Sequence, residues 1–415
     1  MKSYAERRSG PSRRAVLTVV GVLLVAACLR PAITSVGPVL DRIGAAHGFG
    51  RGTEGLLAAL PLLAFAGVSP LTHRLALRLG MDRTVLAALG LLIIGILLRS
   101  SGGSVLLWIG TLLIGVAIAI NNVLVPAVVK RDFGGRIAAV TGAYTAIMNT
   151  FAAIASGIAV PLADVDRGRG PGHDGWRTSI GIWVVLTAIG LVFWVARMRT
   201  VDSVASQGIA TVPVMSRSGS DHSVWRSPLA WQVTITMGLQ STVFYTMVNW
   251  LPSIEADAGV SPATAGLHLF LYQAIGILAA LAASTLLGRV ADQRLVASMI
   301  NIPILIALAG MISFPQLLSV WAVLAGLTSG GSITVALALI GLRTRLAADT
   351  ARLSGMAQGV GYLLAAGGPV AAGWLRQTTG SWTAVIMMLI VLTLLQGAAA
   401  YLAGRNRFVG EPVTG

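Results

Sequence analysis

Arg30 stands in the middle of an apolar run that extends from Ala15 to Leu40. About 15 residues separate it from the start of that run, roughly 22 Å of helix at 1.5 Å per residue. A guanidinium at that depth in hydrocarbon costs about 2.5–3.5 kcal/mol, so it has to face protein or water. No Asp or Glu falls deep in any apolar run; Asp41 and Glu54, the nearest, fall at run ends. Without a buried acid, the fork of donors stays free for an anion. The alternative is a packing role, with Arg30 donating to backbone carbonyls or to Asn and Gln side chains. Pro31 removes a backbone donor beside it, and Thr34 shares its helix face at i,i+4.

Other polar side chains recur inside apolar runs: Asn121 and Asn122, Tyr144 and Asn149, Tyr245 and Asn249, His268 with Tyr272 and Gln273, and Gln358 with Tyr362. Each donates or accepts without carrying a charge, which suits recognition of a small polar solute. Any one of them taken singly is equally an interhelical hydrogen bond worth about 0.6 kcal/mol. His268 is the one histidine within a run, and its ordinary pKa near 6.5 makes it a candidate carrier of a coupling proton. A histidine at the membrane interface fits as well, so a coupling proton, a counter-anion and uncoupled movement all stay open.

The elements that must position these groups follow from composition. The chain has 415 residues, 55% hydrophobic and 11% charged, with net charge +15, 49 glycines and one cysteine. Soluble domains carry roughly 25% charged residues. The apolar content excludes disorder, and a lone Cys28 excludes a disulfide scaffold. The arginines form short clusters between apolar runs with no aromatic-interleaved basic face, which argues against nucleic acid. A helix needs about 20 apolar residues to span a bilayer. Twelve stretches qualify: 15–40, 53–72, 84–100, 104–127, 137–162 and 178–197, then 228–251, 263–288, 294–314, 317–341, 353–375 and 382–403. The expected fold is an all-α polytopic membrane protein of two six-helix bundles, residues 1–197 and 228–415. The polar stretch 198–227 is the expected linker, and 163–177 is the other sizeable excursion.

Lys and Arg concentrate in the segments that a cytoplasmic N-terminus would place inside, among them Lys2, Arg7, Arg8, Arg74, Arg78, Arg83, Lys130, Arg131, Arg136, Arg197, Arg199, Arg217 and Arg226. The opposite segments carry fewer: Arg42, Arg51, Arg99, Arg167, Arg169, Arg177 and Arg376. This bias puts both termini in the cytoplasm and the chain in a plasma (inner) membrane. Ser12-Arg13-Arg14, and Val25-Ala26-Ala27-Cys28, imitate export and lipoprotein signals. The apolar pattern continues through Pro31 to Leu40, so the first run is expected to remain as a span with Cys28 as a packing residue.

The halves repeat. His73-Arg74-Leu75-Ala76-Leu77-Arg78-Leu79-Gly80-Met81-Asp82-Arg83 occupies the place that Gly288-Arg289-Val290-Ala291-Asp292-Gln293-Arg294 takes in the second half. Both resemble the Gly-x-x-x-Asp-Arg-x-Gly-Arg-Arg loop of the major facilitator superfamily, with Leu77 where the first copy's acid belongs. Thr141-Gly142-Ala143-Tyr144 matches Ser354-Gly355-Met356-Ala357. Leu29-Arg30-Pro31-Ala32-Ile33-Thr34-Ser35-Val36-Gly37-Pro38, Asn121-Asn122-Val123-Leu124-Val125-Pro126, Lys130-Arg131-Asp132-Phe133 and Gly175-Trp176-Arg177 resemble the cyanate and 2-nitroimidazole permease family within it. That resemblance covers essentially the whole chain. It implies transport of a small anionic or polar solute by alternating access; cargo differs among members, so no substrate is carried over.

Arg78, Gly80, Gly288 and Asp292 are the expected gating residues, latching the bundles on the cytoplasmic side, more weakly in the first half for want of an acid at Leu77. Gly367-Gly368-Pro369 with Gly373, and Gly157 with Pro161, read as close helix contacts. Metal-ligand spacing and phosphate-binding loops are missing from the sequence, so no cofactor and no enzyme activity are expected. The expected partners are a small solute and the lipid bilayer, with a monomeric chain. Two other readings are an exporter of neutral or cationic toxic compounds with Arg30 structural, and a membrane sensor that binds a solute without moving it.

Overall fold

Proline and glycine interrupt the first span where the sequence places Arg30. In the computed structural model, which describes residues 13–133, 137–165, 175–205, 224–345 and 347–410, this span is α1 (Arg13–Leu29), α2 (Pro31–Thr34), a 3-10 turn at Gly37–Val39 and α3 (Leu40–His47). Arg30 is the joint between α1 and α2. Pro31 and Pro38 cannot donate to the helix ladder, and the freed carbonyls find other partners within the bundle. Then follow α4 (Arg51–Leu79), α5 (Met81–Ser101), α6 (Ser104–Phe133), α7 (Ile137–Val165), and α8 (Trp176–Gly181) with α9 (Trp183–Ala205), completing the first half. The second half is α10 (Pro228–Asp257), α11 (Pro262–Leu287), α12 (Arg294–Met299) with α13 (Ile302–Ser313), α14 (Leu318–Leu342), α15 (Ala347–Thr379) and α16 (Trp382–Ala403).

These are the expected crossings, and their ends differ in two places that matter. α9 runs to Ala205, eight residues into the expected linker, of which 206–223 lie outside the described residues. α10 runs to Asp257, six residues beyond the expected end, and so takes Glu255 into the span. Residues 166–174 of the other excursion, and Lys2, Arg7, Arg8, Arg136, Arg167, Arg169 and Arg217, also lie outside the described residues.

Ten stretches among the described residues are long and apolar enough to cross a membrane by composition. α10 and α15 are not among them. α10 carries Gln240, Ser241, Thr242, Thr246, Asn249, Ser253 and Glu255, all buried, because protein surrounds it on every side and lipid does not touch these faces. A helix sheltered in this way tolerates polar groups that a lipid-facing one would not.

The end of the bundle where the chain starts and finishes is termed proximal, the other distal. At the distal end one apolar core joins the halves: Val39, Leu40 and Ile43 pack with Met247, Trp250 and Leu251. The backbones approach too closely for side chains. A Cβ on Gly37 would lie 2.2 Å from the Val248 carbonyl oxygen, and one on Gly373 2.2 Å from that of Arg51. Hydrogen bonds close the same end. Ser253 Oγ donates to Asp41 at 2.7 Å, the Gly52 N–H donates to Gln377 at 2.9 Å, and Arg51 holds both Asp41 and Glu54. At the proximal end a separate core of Val233, Ala297, Leu339, Leu353 and Ala403 belongs to the second half alone.

The proximal charges close within each half. Arg197, 1% exposed, donates to Asp82 at 2.6 Å and to Asp132 at 2.5 Å, and Arg131 reaches Asp82 at 2.9 Å. The first half carries an acid at Asp82, five residues beyond Leu77, and its ion pairs stay inside that half. Gly80, with φ of +83°, makes the turn that starts α5 beside that acid. In the second half Asp292 pairs with Arg294 at 3.3 Å, Gly288 caps α11, and Arg343 donates to the carbonyls of Ala403 and Gly404. Arg78 is exposed. In this conformation Asp292 makes its contacts inside its own half.

Candidate substrate cavity

Arg30 lines a cavity between the halves with about 490 Å³ of empty space, counting the part open to solvent. Asn149, Gln240, Ser241, Phe244, Tyr245, Gln273, Ser329, Ile333 and Tyr362 complete most of its wall. Arg30 stands at the joint of α1 and α2 with its guanidinium toward α10. Its carbon Cζ sits 5.3 Å from the Phe244 ring centroid, a cation–π contact. Among the described residues no Asp or Glu reaches it at ion-pair distance. The distal side is packed shut in this structure.

The structure brings Arg30, Asn149, Tyr245, Gln273 and Tyr362 together in this wall. Gln273 is braced by Ser156, to which it donates at 2.5 Å, and Tyr362 by the edge of Phe65. Tyr272 lines a smaller recess behind the wall with Gln240 and Ser329, its ring 6.2 Å from Phe244. Other expected residues lie elsewhere. Thr34 Oγ1 donates to the Ala152 carbonyl at 3.0 Å and holds α2 against α7. Asn121 is fully buried in α6 with neither amide atom paired, and Asn122 follows it half-buried. Tyr144 packs on the first-half core. Asn249 donates back to the Tyr245 carbonyl at 2.7 Å and lines a second cavity. Gln358 donates to Ser354 at 2.9 Å.

His268 is paired. Its Nδ1 lies 2.8 Å from Glu255 Oε2, with the carboxylate fully buried and its second oxygen unpartnered. Glu255 lies in the last turn of α10, buried at the distal end of its helix and one helical turn beyond the expected end of its span; the sequence reading did not single it out as the acid that meets His268. Sequence reasoning also missed Gln240, Ser241, Phe244 and Ser329. Gln240 and Ser241 were visible as polar residues about one turn before Tyr245. Phe244 carries no polar signal, and only the fold reveals that it faces a guanidinium.

A family model, Major Facilitator Superfamily, matches residues 22–312. Over 393 residues the chain is 42% identical to an uncharacterized transporter, YycB, of Bacillus subtilis (strain 168), covering 94% of each chain. It is 38% identical to the 2-nitroimidazole transporter of Escherichia coli (strain K12), covering 96% of this chain and 98% of that one. It is 28% identical to the cyanate transport protein CynX of the same organism, covering 87% and 90%. Among solved structures, a bacterial homolog of the human lysosomal transporter Spinster, inward-facing and unoccupied, superposes with a TM-score of 0.76 at 13% identity, covering 97% of this chain and all of that one. The chain belongs to the major facilitator superfamily, within its group of cyanate and nitroimidazole permeases. It is a multi-pass membrane protein and a secondary transporter that works by alternating access.

Proposed function

We propose that the transported solute is a small anion, or a small polar compound that presents an electron-rich edge such as a nitroimidazole, and that Arg30 is its anchor. The observation that carries this reading is a guanidinium on the wall of the central cavity that no described carboxylate neutralises. Gln240, Ser241, Gln273, Tyr245 and Tyr362 supply neutral donors and acceptors around it. Phe244 supplies a flat apolar face for a planar solute. The relatives that transport 2-nitroimidazole and cyanate agree with cargo of this kind.

The same charge links binding to movement. Occluding an empty cavity would strip water from Arg30 without a partner, at a cost of several kcal/mol. An anion seated on the guanidinium supplies the missing charge and lets the proximal side close over it. The loaded carrier thus changes state more readily than the empty one. The proximal end is assigned to the cytoplasm on the distribution of Lys and Arg. Coupling is assigned to the buried Glu255–His268 pair, which can hold one proton between a carboxylate and an imidazole; exchange against a counter-anion is the competing arrangement.

Reconstituted protein tests the anchor. Proteoliposome flux of labelled cyanate and of 2-nitroimidazole is measured for the wild type and for Arg30→Gln. Loss of a charge-assisted contact predicts a fall of at least tenfold, each 1.4 kcal/mol being worth a factor of ten. Unchanged flux with correctly folded protein rules the anchor out.

A further inference from the structure

A second arginine sits buried at the distal end. The sequence places Arg99 at the mouth of a span, a position where arginines ordinarily snorkel to water. The structure turns it inward instead. It is 3% exposed, in the last turn of α5, and Nη1 donates to the Ala32 carbonyl at 2.6 Å. Its Nε and Nη2 atoms have no partner. A carbonyl accepts one hydrogen bond but cancels no charge, so the contact to Ala32 explains the side chain's position and leaves the guanidinium unneutralised. The backbone beneath is held, since a Cβ on Gly110 would lie 2.4 Å from the Arg99 nitrogen, so α6 pins this turn in place.

The guanidinium lines a cavity of its own, with about 330 Å³ of empty space counting its open part, separate from the central one. Apolar residues, among them Ile33, Val36, Ile43 and Leu57, form most of the wall, with Thr111 and Asn249 as polar neighbours. A strongly hydrated or divalent ion could not replace its water shell against such residues. A weakly hydrated monovalent anion could, because guanidinium is itself weakly hydrated and its two spare donors form a fork. We propose that Arg99 forms a second anion site, distal to Arg30, selective for small, weakly hydrated monovalent anions. The two sites flank the broken segment of the first span: Arg30 is its joint, and Arg99 holds the carbonyl two residues on. The occupant is either the transported solute on its path or a resident counter-anion. The site itself stands on Arg99's own geometry, and only its place on the path rests on the function proposed above.

The test is equilibrium binding of labelled thiocyanate to the purified full chain. Two sites are expected in the wild type, one in Arg30→Gln, one in Arg99→Gln and none in the double variant. Binding that survives in Arg30→Gln and is lost in the double variant supports the site even if the central anchor fails. A single site that Arg30→Gln abolishes, or no thiocyanate binding at all, overturns it. Should Arg99→Gln not fold, Arg99→Lys keeps the charge and the reach to Ala32 but loses the fork, and about tenfold weaker binding is expected; unchanged affinity overturns the proposal. Proteoliposomes separate the two sources. If the occupant is cargo, thiocyanate crosses and Arg99→Gln slows it. If it is a counter-anion, thiocyanate stays outside yet alters cyanate flux, and Arg99→Gln removes that effect.

Discussion

Arg30 and the Glu255–His268 pair handle charge in the interior differently. Arg30 faces an open cavity and awaits a partner, whereas Glu255 has one, 2.8 Å away, and an unpaired oxygen besides. The flanking charged groups are engaged elsewhere: Asp257 with Arg376, Asp41 and Glu54 with Arg51, and Arg42 with Asp164. If this pair carries the coupling proton, uptake of cyanate or 2-nitroimidazole should acidify the lumen of proteoliposomes loaded with a pH-sensitive dye. Glu255→Gln, which keeps an acceptor for the imidazole, should abolish that acidification while solute exchange under counterflow continues. Loss of counterflow as well would assign the pair to structure instead. Arg30 was legible from depth alone, because an arginine in the middle of an apolar run is costly wherever the helix points. Glu255 was not, because its burial depends on how far α10 continues past Pro252.

Two helices, α10 and α15, carry half of the polar wall, Gln240, Ser241, Tyr245 and Tyr362, and both fall short of the apolar content of a spanning helix. Their polar residues at the cavity lie between the halves and are sheltered from lipid, while α15 also presents Leu363, Leu364 and Trp374 outward. At the proximal ends of α5, α6 and α9, Arg197 binds Asp82 and Asp132 at once. The two carboxylates are about a fifth exposed, so solvent screens part of the interaction. Asp82→Ala should cost about 2 kcal/mol, between a surface pair and a buried one, and lower the thermal midpoint of the detergent-solubilised protein. An unaltered midpoint would mean that the network is screened to nothing. The repeated loop was readable in sequence, with Leu77 in place of its acid, but the pairing of Arg197 with Asp82 and Asp132 was not, since only folding shows which carboxylates meet it.

The whole molecule is closed distally by backbone contacts that leave no room for a side chain, at Gly37 against Val248 and Gly373 against Arg51. These glycines let the halves meet, and a larger residue should hold them apart. Gly37→Val is expected to open the distal face and raise, several-fold, the labelling by an impermeant maleimide of a cysteine placed at Asn149. Cys28 is the single native cysteine and is buried, so its background reactivity is small. Labelling equal to that of the Gly37 parent would show that the contact is not a gate. The apolar core follows the same division: one cluster joins the halves distally, another belongs to the second half proximally.

Span number, span order and the depth of a guanidinium at position 30 were set by the sequence itself, because apolar length and the placement of charge are properties of contiguous residues. Which polar side chains share the cavity was a tertiary decision. Helices buried on all sides have no lipid face, so periodicity does not say how they are rotated. Thr34 turned to the Ala152 carbonyl on α7 and Gln358 to the nearby Ser354 hydroxyl, while Gln240, Ser241 and Phe244 met Arg30's cavity. Arg99 illustrates the limit: local sequence places it at a membrane surface, and only the packing of α6 and the break in the first span put it inside.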